Sequence, residues 1–215
     1  MPDRSPYDDE ALASLRPRAK ALLRKRMRAT RAALPAEAVR RRSEAICARV
    51  MALPEWSKAR CVALFVATEH EVHLDALFAD ARRRGITVAI PAVREGERAM
   101  TLRVHLGGGH EFPLQCSDFG VMEPAPDAPE VDPAEVDVMV IPALVVAESG
   151  HRLGYGRAHY DNTLPRATRA LRVVVAFDFQ LAAEVPAEPH DVAAQVVITD
   201  ARTHVVGAGA APEVP

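Results

Sequence analysis

The twelve residues "GHRLGYGRAHYD", Gly150 to Asp161, gather groups able to hold an anion and a metal. Gly154 and Gly156 remove side chains where the backbone must turn, so that amide N–H groups can face a ligand, and Arg152 and Arg157 add full positive charges. A helix starting after the glycines would aim the positive end of its dipole at the same point, a combination suited to phosphate. Asp161, one turn into that helix, offers hard oxygen to a magnesium ion bridging such phosphates. The spacing is neither a Walker loop nor GxGxxG, because Ala158 stands at the third glycine position. A glycine turn with its arginines in solvent has the same spacing, and spacing alone leaves both readings standing.

Other chemistry-bearing clusters are weaker. "HEVH", His70 to His73, has its histidines three apart rather than four and no evident third ligand, so it reads as a polar strand end with Glu71 facing a cleft. His190-Asp191 offers a second metal or phosphate contact, or simply a loop. Between Arg16 and Arg42 stand eleven Lys/Arg and one acid, Glu37, which gives a phosphate-binding arm or a solvated face. No Gly-x-Ser-x-Gly elbow, kinase set or cysteine nucleophile context is present, and nothing demands covalent catalysis.

The opening stretch follows the apolar run "VDVMVIPALVV" and leads into "RAHYDNTLPR", a short helix, so it occupies a strand-to-helix corner. In parallel α/β sheets ligands bind at such corners, beyond the carboxyl ends of the strands. The elements that would position it begin with a helix from about residue 11 to 34, carrying Leu23, Met27 and Leu34 on one face. Pro35 then opens a second helix as its first-turn residue, with Val39, Ile46 and Val50 at helical spacing. Short β-branched runs follow at 61–67, 86–92, 100–106, 136–146, 171–177 and 194–199. "HLDALFADARRRG" lies between the first two as a helix closed by Gly85, which makes a βαβ unit. Residues 107–135 read as an extended loop with a short strand. The expectation is an α/β three-layer sandwich around a largely parallel sheet with a basic helical arm, a single domain over 11–206, and flexible tails at 1–10 and 207–215.

Composition is that of an ordinary globular chain, 49% apolar and 26% charged. The net charge of −2 conceals a local +10 over Arg16–Arg42 and about −12 elsewhere. Aromatic residues are only 5% and none interleaves the arginine cluster, which disfavours RNA binding and predicts no nucleic-acid partner. Cys47, Cys61 and Cys116 form no CxxC pair, and no apolar run reaches the roughly 18 residues of a membrane span, so a cytoplasmic, membrane-free protein, monomer or homodimer, is expected.

Taken in order, the motifs resemble one family, the 5-formyltetrahydrofolate cyclo-ligases, also called 5,10-methenyltetrahydrofolate synthetases. Lys20, Leu23 and Arg24 match its Lys-x-x-Leu-Arg helix, Ser43 lies in the basic second helix, and Glu71-Val72 follows a strand. Gly85 to Pro91 matches a Gly-[IV]-x-[IV]-Pro strand, and "FGVMEP", Phe119 to Pro124, a later segment. "PALVVAESGHRLGYGRAHYD", Pro142 to Asp161, aligns with the family signature, and Ala176, Phe177, Gln180, Pro186, Asp191 and Thr199 continue it.

The resemblance implies ATP-driven closure of 5-formyltetrahydrofolate to 5,10-methenyltetrahydrofolate, giving ADP and phosphate with Mg2+. In that reaction the formyl oxygen attacks the terminal phosphoryl group, so catalysis needs positioning and charge neutralisation more than a protein nucleophile. By the same resemblance, Lys20, Arg24, Arg152, Leu153, Gly154, Tyr155, Gly156, Arg157, Ala158, His159 and Tyr160 would bind the nucleotide. Glu71 and Tyr160 would meet the folate, Arg152, Arg157 and Tyr160 would act in catalysis, and Asp161 and Asp191 would hold magnesium. This sequence departs from the family at Ala147-Glu148 in place of Phe-Asp, at Ala158 in place of glycine, at His159 in place of an aromatic and at Leu74 in place of threonine. A diverged paralogue using another formyl or pterin substrate, and a non-catalytic folate- or nucleotide-binding protein, are the alternatives.

Overall fold

The computed structural model of the chain describes residues 6–94, 96–117, 120–188 and 191–207. Helix α1 spans Pro6–Ala32, α2 Ala36–Met51 and α3 Pro54–Lys58. Strand β1 (Cys61–Ala63), helix α4 (Asp75–Arg84) and strand β2 (Thr87–Ala92) form the expected βαβ unit. Then come β3 (Thr101–Gly107), β4 (His110–Glu111), β5 (Leu114–Cys116), β6 (Met122–Pro124) and β7 (Glu130–Val131). The last part holds β8 (Val138–Pro142), β9 (Val145–Ala147), β10 (Arg152–Leu153), α5 (His159–Thr163), β11 (Leu171–Val175), β12 (Leu181–Ala182), β13 (Val196–Ile198) and β14 (Thr203–Val205).

The main sheet runs β14-β13-β11-β8-β1-β2-β3-β4, with β7 added to β3. Its centre, β13 to β2, is parallel, and antiparallel strands close both edges. Alternate residues of the central strands serve two cores. Val138, Val140, Val173 and Val175 pack beneath α2, α3 and α4 with Ile46, Trp56 and Leu77, whereas Met139, Ile141 and Val174 pack with Leu164, Ala167 and Ala170. Burial on both faces explains why these strands read as unbroken apolar runs, and each such side chain contributes about 1.5–3 kcal/mol. From β1 the chain passes to β2 on one side and to β8 on the other, so the strand order reverses there and opens a crevice at the strands' carboxyl ends.

Local chemistry sets the element ends. Helix α4 has Asp75 in its first turn and Arg82, Arg83 and Arg84 in its last, matching its dipole, and Gly85 ends it with φ 69°. The Trp56 indole N–H donates to Asp80 Oδ2 at 2.9 Å and joins α3 to α4. Pro35 stands just outside α2 with φ −60° and ψ 142° rather than in its first turn, and the second helix starts at Ala36.

The largest departure lies in "VDVMVIPALVV". It is not one strand: β8 ends at Pro142, and β9 belongs to a separate sheet ordered β10-β9-β12. Leu23 and Met27 of α1 pack on this small sheet against Leu144, Val145 and Leu153. Residues 107–135 carry several short strands rather than one, with β5 and β6 forming their own hairpin. Of the tails expected at 1–10 and 207–215, residues 1–5 and 208–215 lie outside the described residues, while α1 already begins at Pro6. Among the described residues no helix is long and apolar enough to cross a membrane.

Candidate functional site

A cleft of about 790 Å³ opens at the carboxyl ends of β1, β2 and β8, with Phe65, Ile90, Pro91 and Pro142 on its floor. The glycine stretch borders it, though not as a direct strand-to-helix corner. A β9–β10 hairpin intervenes, and the loop Gly154–Ala158 leaves β10 to reach α5. Every residue that the family resemblance assigns to the site lines this one cleft: Lys20, Arg24, Glu71, Arg152 to Asp161 and Asp191.

Helix α1 supplies the cationic wall through one face. Lys20, Arg24 and Arg31, spaced by four and seven residues, turn inward, whereas Arg16, Arg18, Lys25, Arg26 and Arg28 stay exposed. Lys20 Nζ lies 2.6 Å from Glu188 Oε1 and 3.8 Å from Asp191 Oδ2. Arg24 Nε donates to Gly154 O at 2.9 Å, and its guanidinium covers Gly156 so closely that a Cβ there would stand 3.2 Å from Cζ. With φ 99° as well, position 156 requires glycine. Burial, then the neighbouring Arg28, lowers the Arg24 pKa from its ordinary value, while Glu188 opposes the shift.

Arg152 is held deeply. Its guanidinium donates to Val192 O at 2.6 Å and to Asp161 Oδ1 at 2.8 Å, and lies 5.9 Å from the Tyr160 ring centre. Asp161 Oδ1 also accepts from Val192 N, at 3.2 Å, while Oδ2 accepts no hydrogen bond among the described residues. Burial, and then the Glu71 charge, raises the Tyr160 pKa, so the phenol stays protonated. Arg157 is exposed at the rim.

At the far end, buried Glu71 accepts from Thr68 N through Oε2 and from the Tyr155 hydroxyl through Oε1, both at 2.9 Å. The same hydroxyl accepts from Arg31 Nη2 at 2.7 Å, and the tyrosine ring lies about 6 Å from the guanidinium carbons of both Arg28 and Arg31. Burial, then Glu71, raises the Tyr155 pKa and keeps it a donor. Within "HEVH", His73 Nε2 lies 3.4 Å from Glu69 O, and no cluster of three metal-binding side chains occurs among the described residues.

The remaining wall is apolar, with Val93, Met100, Val121 and Met122 around the buried carboxyl of Glu123. Burial raises the Glu123 pKa against the opposing pull of the Val93 N–H. His159 Nδ1 donates to Arg98 O at 2.9 Å, and its buried Nε2 has no hydrogen-bond partner among the described residues. Ala158 has φ 53°, the only positive φ of a non-glycine among the described residues, so it holds at a steric cost a left-handed backbone that glycine adopts freely.

Sequence reasoning missed Arg31, Glu123 and Glu188. Arg31 shares the helical face of Lys20 and Arg24, and that spacing could have revealed it. Glu123 stands in "FGVMEP", whose pattern alone assigns it no role; Phe119 of that segment lies outside the described residues, as does His190. No sequence signal distinguishes Glu188.

A family model described as "5-formyltetrahydrofolate cyclo-ligase family" matches residues 16–200. The 5-formyltetrahydrofolate cyclo-ligase of Mycolicibacterium smegmatis is 35% identical over 189 residues, 86% of this chain and 96% of that protein. The Escherichia coli protein of the same name is 27% identical over 82% of this chain and 97% of its own length. The solved structure of Aquifex aeolicus 5,10-methenyltetrahydrofolate synthetase superposes with a TM-score of 0.76 at 29% identity, covering 91% of this chain and 96% of that one. With the ordered motifs and a cleft at the strand-order reversal, these likenesses make the chain a member of the 5-formyltetrahydrofolate cyclo-ligase family of enzymes.

Proposed function

We propose that the protein closes 5-formyltetrahydrofolate to 5,10-methenyltetrahydrofolate in the cytoplasm, using ATP and Mg2+ and releasing ADP and phosphate. The observation that carries this reading is the two-sided cleft. One side offers arginines and a glycine loop, the other apolar surface ending at a buried carboxylate, and the two meet within one cavity of about 790 Å³. A phosphate chain fits the first side and a flat heterocycle the second.

Arg24, Arg152, Arg157 and the loop amides hold the phosphates, with Lys20 at the edge. Glu71 accepts from a folate donor, since only two of its lone pairs are occupied. The formyl oxygen takes the terminal phosphoryl group and becomes a leaving group. Nitrogen 10 then adds to the activated carbon, and the C–O bond breaks as phosphate departs and takes up the proton that nitrogen 10 releases. Tyr160, half-buried and protonated beside Arg152, keeps water from that junction.

The donor set also suits magnesium. Asp161 Oδ2 is a hard oxygen that accepts no hydrogen bond among the described residues, and Asp191 lies on the same cleft. One or two carboxylates completed by phosphate oxygens are the usual magnesium complement, and the ion would supply charge neutralisation on the phosphates. The test is to incubate the purified protein with 5-formyltetrahydrofolate and MgATP and to follow methenyltetrahydrofolate absorbance. Product is expected from wild type and a loss of at least about 100-fold from Asp161→Ala. No product, with both ligands still bound by calorimetry, would leave a non-catalytic binding protein.

A further inference from the structure

Arg31 does not line the cleft but reaches two residues that do, Glu71 and Tyr155, and the functional reading leaves it without work. Its side chain and that of Glu71 are 6% and 7% exposed, and the two approach to 3.9 Å, with the Tyr155 hydroxyl hydrogen-bonded to both. Burying opposite charges this way is a poor means of stabilising a fold, because apolar side chains of similar volume serve as well or better. The pair sits instead where two halves of the cleft meet. Tyr155 belongs to the glycine loop, between Gly154 and Gly156, and the residue is 49% exposed while its hydroxyl is committed to Glu71. Helix α1 grips that loop twice, through Arg24 on Gly154 O and through Arg31 on the Tyr155 hydroxyl. Glu71 lies on the separate segment that follows β1, held by Thr68 N. Any shift of the loop therefore moves a hydrogen-bond partner of the carboxylate.

We propose that Arg31 and Tyr155 are positioning residues that couple the two sides of the cleft, so that a ligand settling the glycine loop fixes Glu71 for the second ligand, and the reverse. The inference rests on the assignment of phosphates to the loop and folate to Glu71. Coupling of this kind is reciprocal, each ligand tightening the other by the same factor.

Calorimetry with 5-formyltetrahydrofolate and with a magnesium complex of a non-hydrolysable ATP analogue, each alone and with the other saturating, measures that factor. Wild type is expected to bind each ligand at least about fivefold tighter when the other is present. Tyr155→Phe keeps the ring over the arginines but removes the hydroxyl. It is expected to bring the factor below about twofold, a ratio that is independent of any change in how tightly each ligand binds alone. Arg31→Met is expected to act in the same direction, with a thermal melt reporting its fold, and Tyr155→Phe decides the matter if that variant unfolds. Equal factors in wild type and Tyr155→Phe, or no coupling in wild type, overturn the proposal alone. Failure of wild type to bind either ligand overturns the functional reading and the proposal with it.

Discussion

Two buried carboxylates, Asp80 and Glu71, are built from the same parts and do different work. Each accepts from an aromatic side chain at 2.9 Å, Trp56 in one case and Tyr155 in the other, and each lies near arginine. Around Asp80 every partner is local: Arg83 and Arg84 stand three and four residues on in the same helix, and Trp56 comes from neighbouring α3. Trp56 is 1% exposed, and the joint closes on itself away from the cleft. Around Glu71 only Thr68 N is local; the other partners come from α1 and the glycine loop, the hydroxyl donor 84 residues away in sequence, and Arg31 Nε has no hydrogen-bond partner among the described residues. A network whose members all come from adjacent helices fixes a corner. One whose members converge from distant segments onto a cavity keeps polar capacity for a ligand.

The sharpest way to break this contrast is Glu71→Gln. It retains an acceptor for Tyr155, so the melting temperature is expected to move by only about 2–4 °C. The value of kcat/KM for the folate is expected to fall at least about 100-fold, about 2.7 kcal/mol of transition-state stabilisation. Unaltered kinetics with a collapsed melting temperature would put Glu71 in the same category as Asp80.

The reverse is expected of Asp80. Asp80→Ala strands the buried Trp56 N–H, while Arg84 keeps the Trp56 and Ser57 carbonyls as acceptors, and should cost about 1–3 kcal/mol in urea unfolding with turnover per folded molecule unchanged. Its pH dependence sharpens the point. Burial pushes the Asp80 pKa up, but the hydrogen bonds from Trp56 and Arg84 outweigh it and hold the group below its ordinary value. A carboxylate held low stabilises the fold above its unfolded-state pKa of about 3.9, and that contribution fades as pH falls through the lower folded value. The stability gap between wild type and Asp80→Asn should thus be full above about pH 5 and close below about pH 4, measured by urea unfolding at stepped pH.

The smallest effect concerns the loop that feeds the Glu71 network. Ala158→Gly removes a Cβ from a left-handed backbone and is expected to raise stability by about 1 kcal/mol while tightening nucleotide binding by less than about tenfold. A lower melting temperature would mean that the alanine methyl packs usefully and that the loop is unstrained.

Much of this was legible from residue order, for physical reasons. Strands buried on both faces announce themselves by unbroken apolar runs, and Gly85 marked a helix end because only a residue free of Cβ takes a left-handed cap cheaply. The same unbroken pattern hid the bend at Pro142–Leu144: residues on either side are equally buried, so hydrophobicity does not register a change of sheet. The arginine count in α1 obscured Arg31, since composition sees eleven cations from Arg16 to Arg42 and only the fold shows which turn inward. Glu188 could not be foreseen, because its place beside Lys20 depends on the path of a loop more than 160 residues away.

Gly150, the residue that begins the opening stretch, has φ 81°, and a Cβ there would collide with Ala194 O, while Gly150 O accepts from Ala194 N at 3.0 Å. Its side chain is missing because another main chain passes there, not because a ligand does. The loop is therefore not a portable cassette. Transplanting residues 150–161 into a new scaffold would carry over the spacing and lose the site unless residues 191–195 travelled with it, since they supply both the backbone that Gly150 meets and the Val192 carbonyl that aims Arg152.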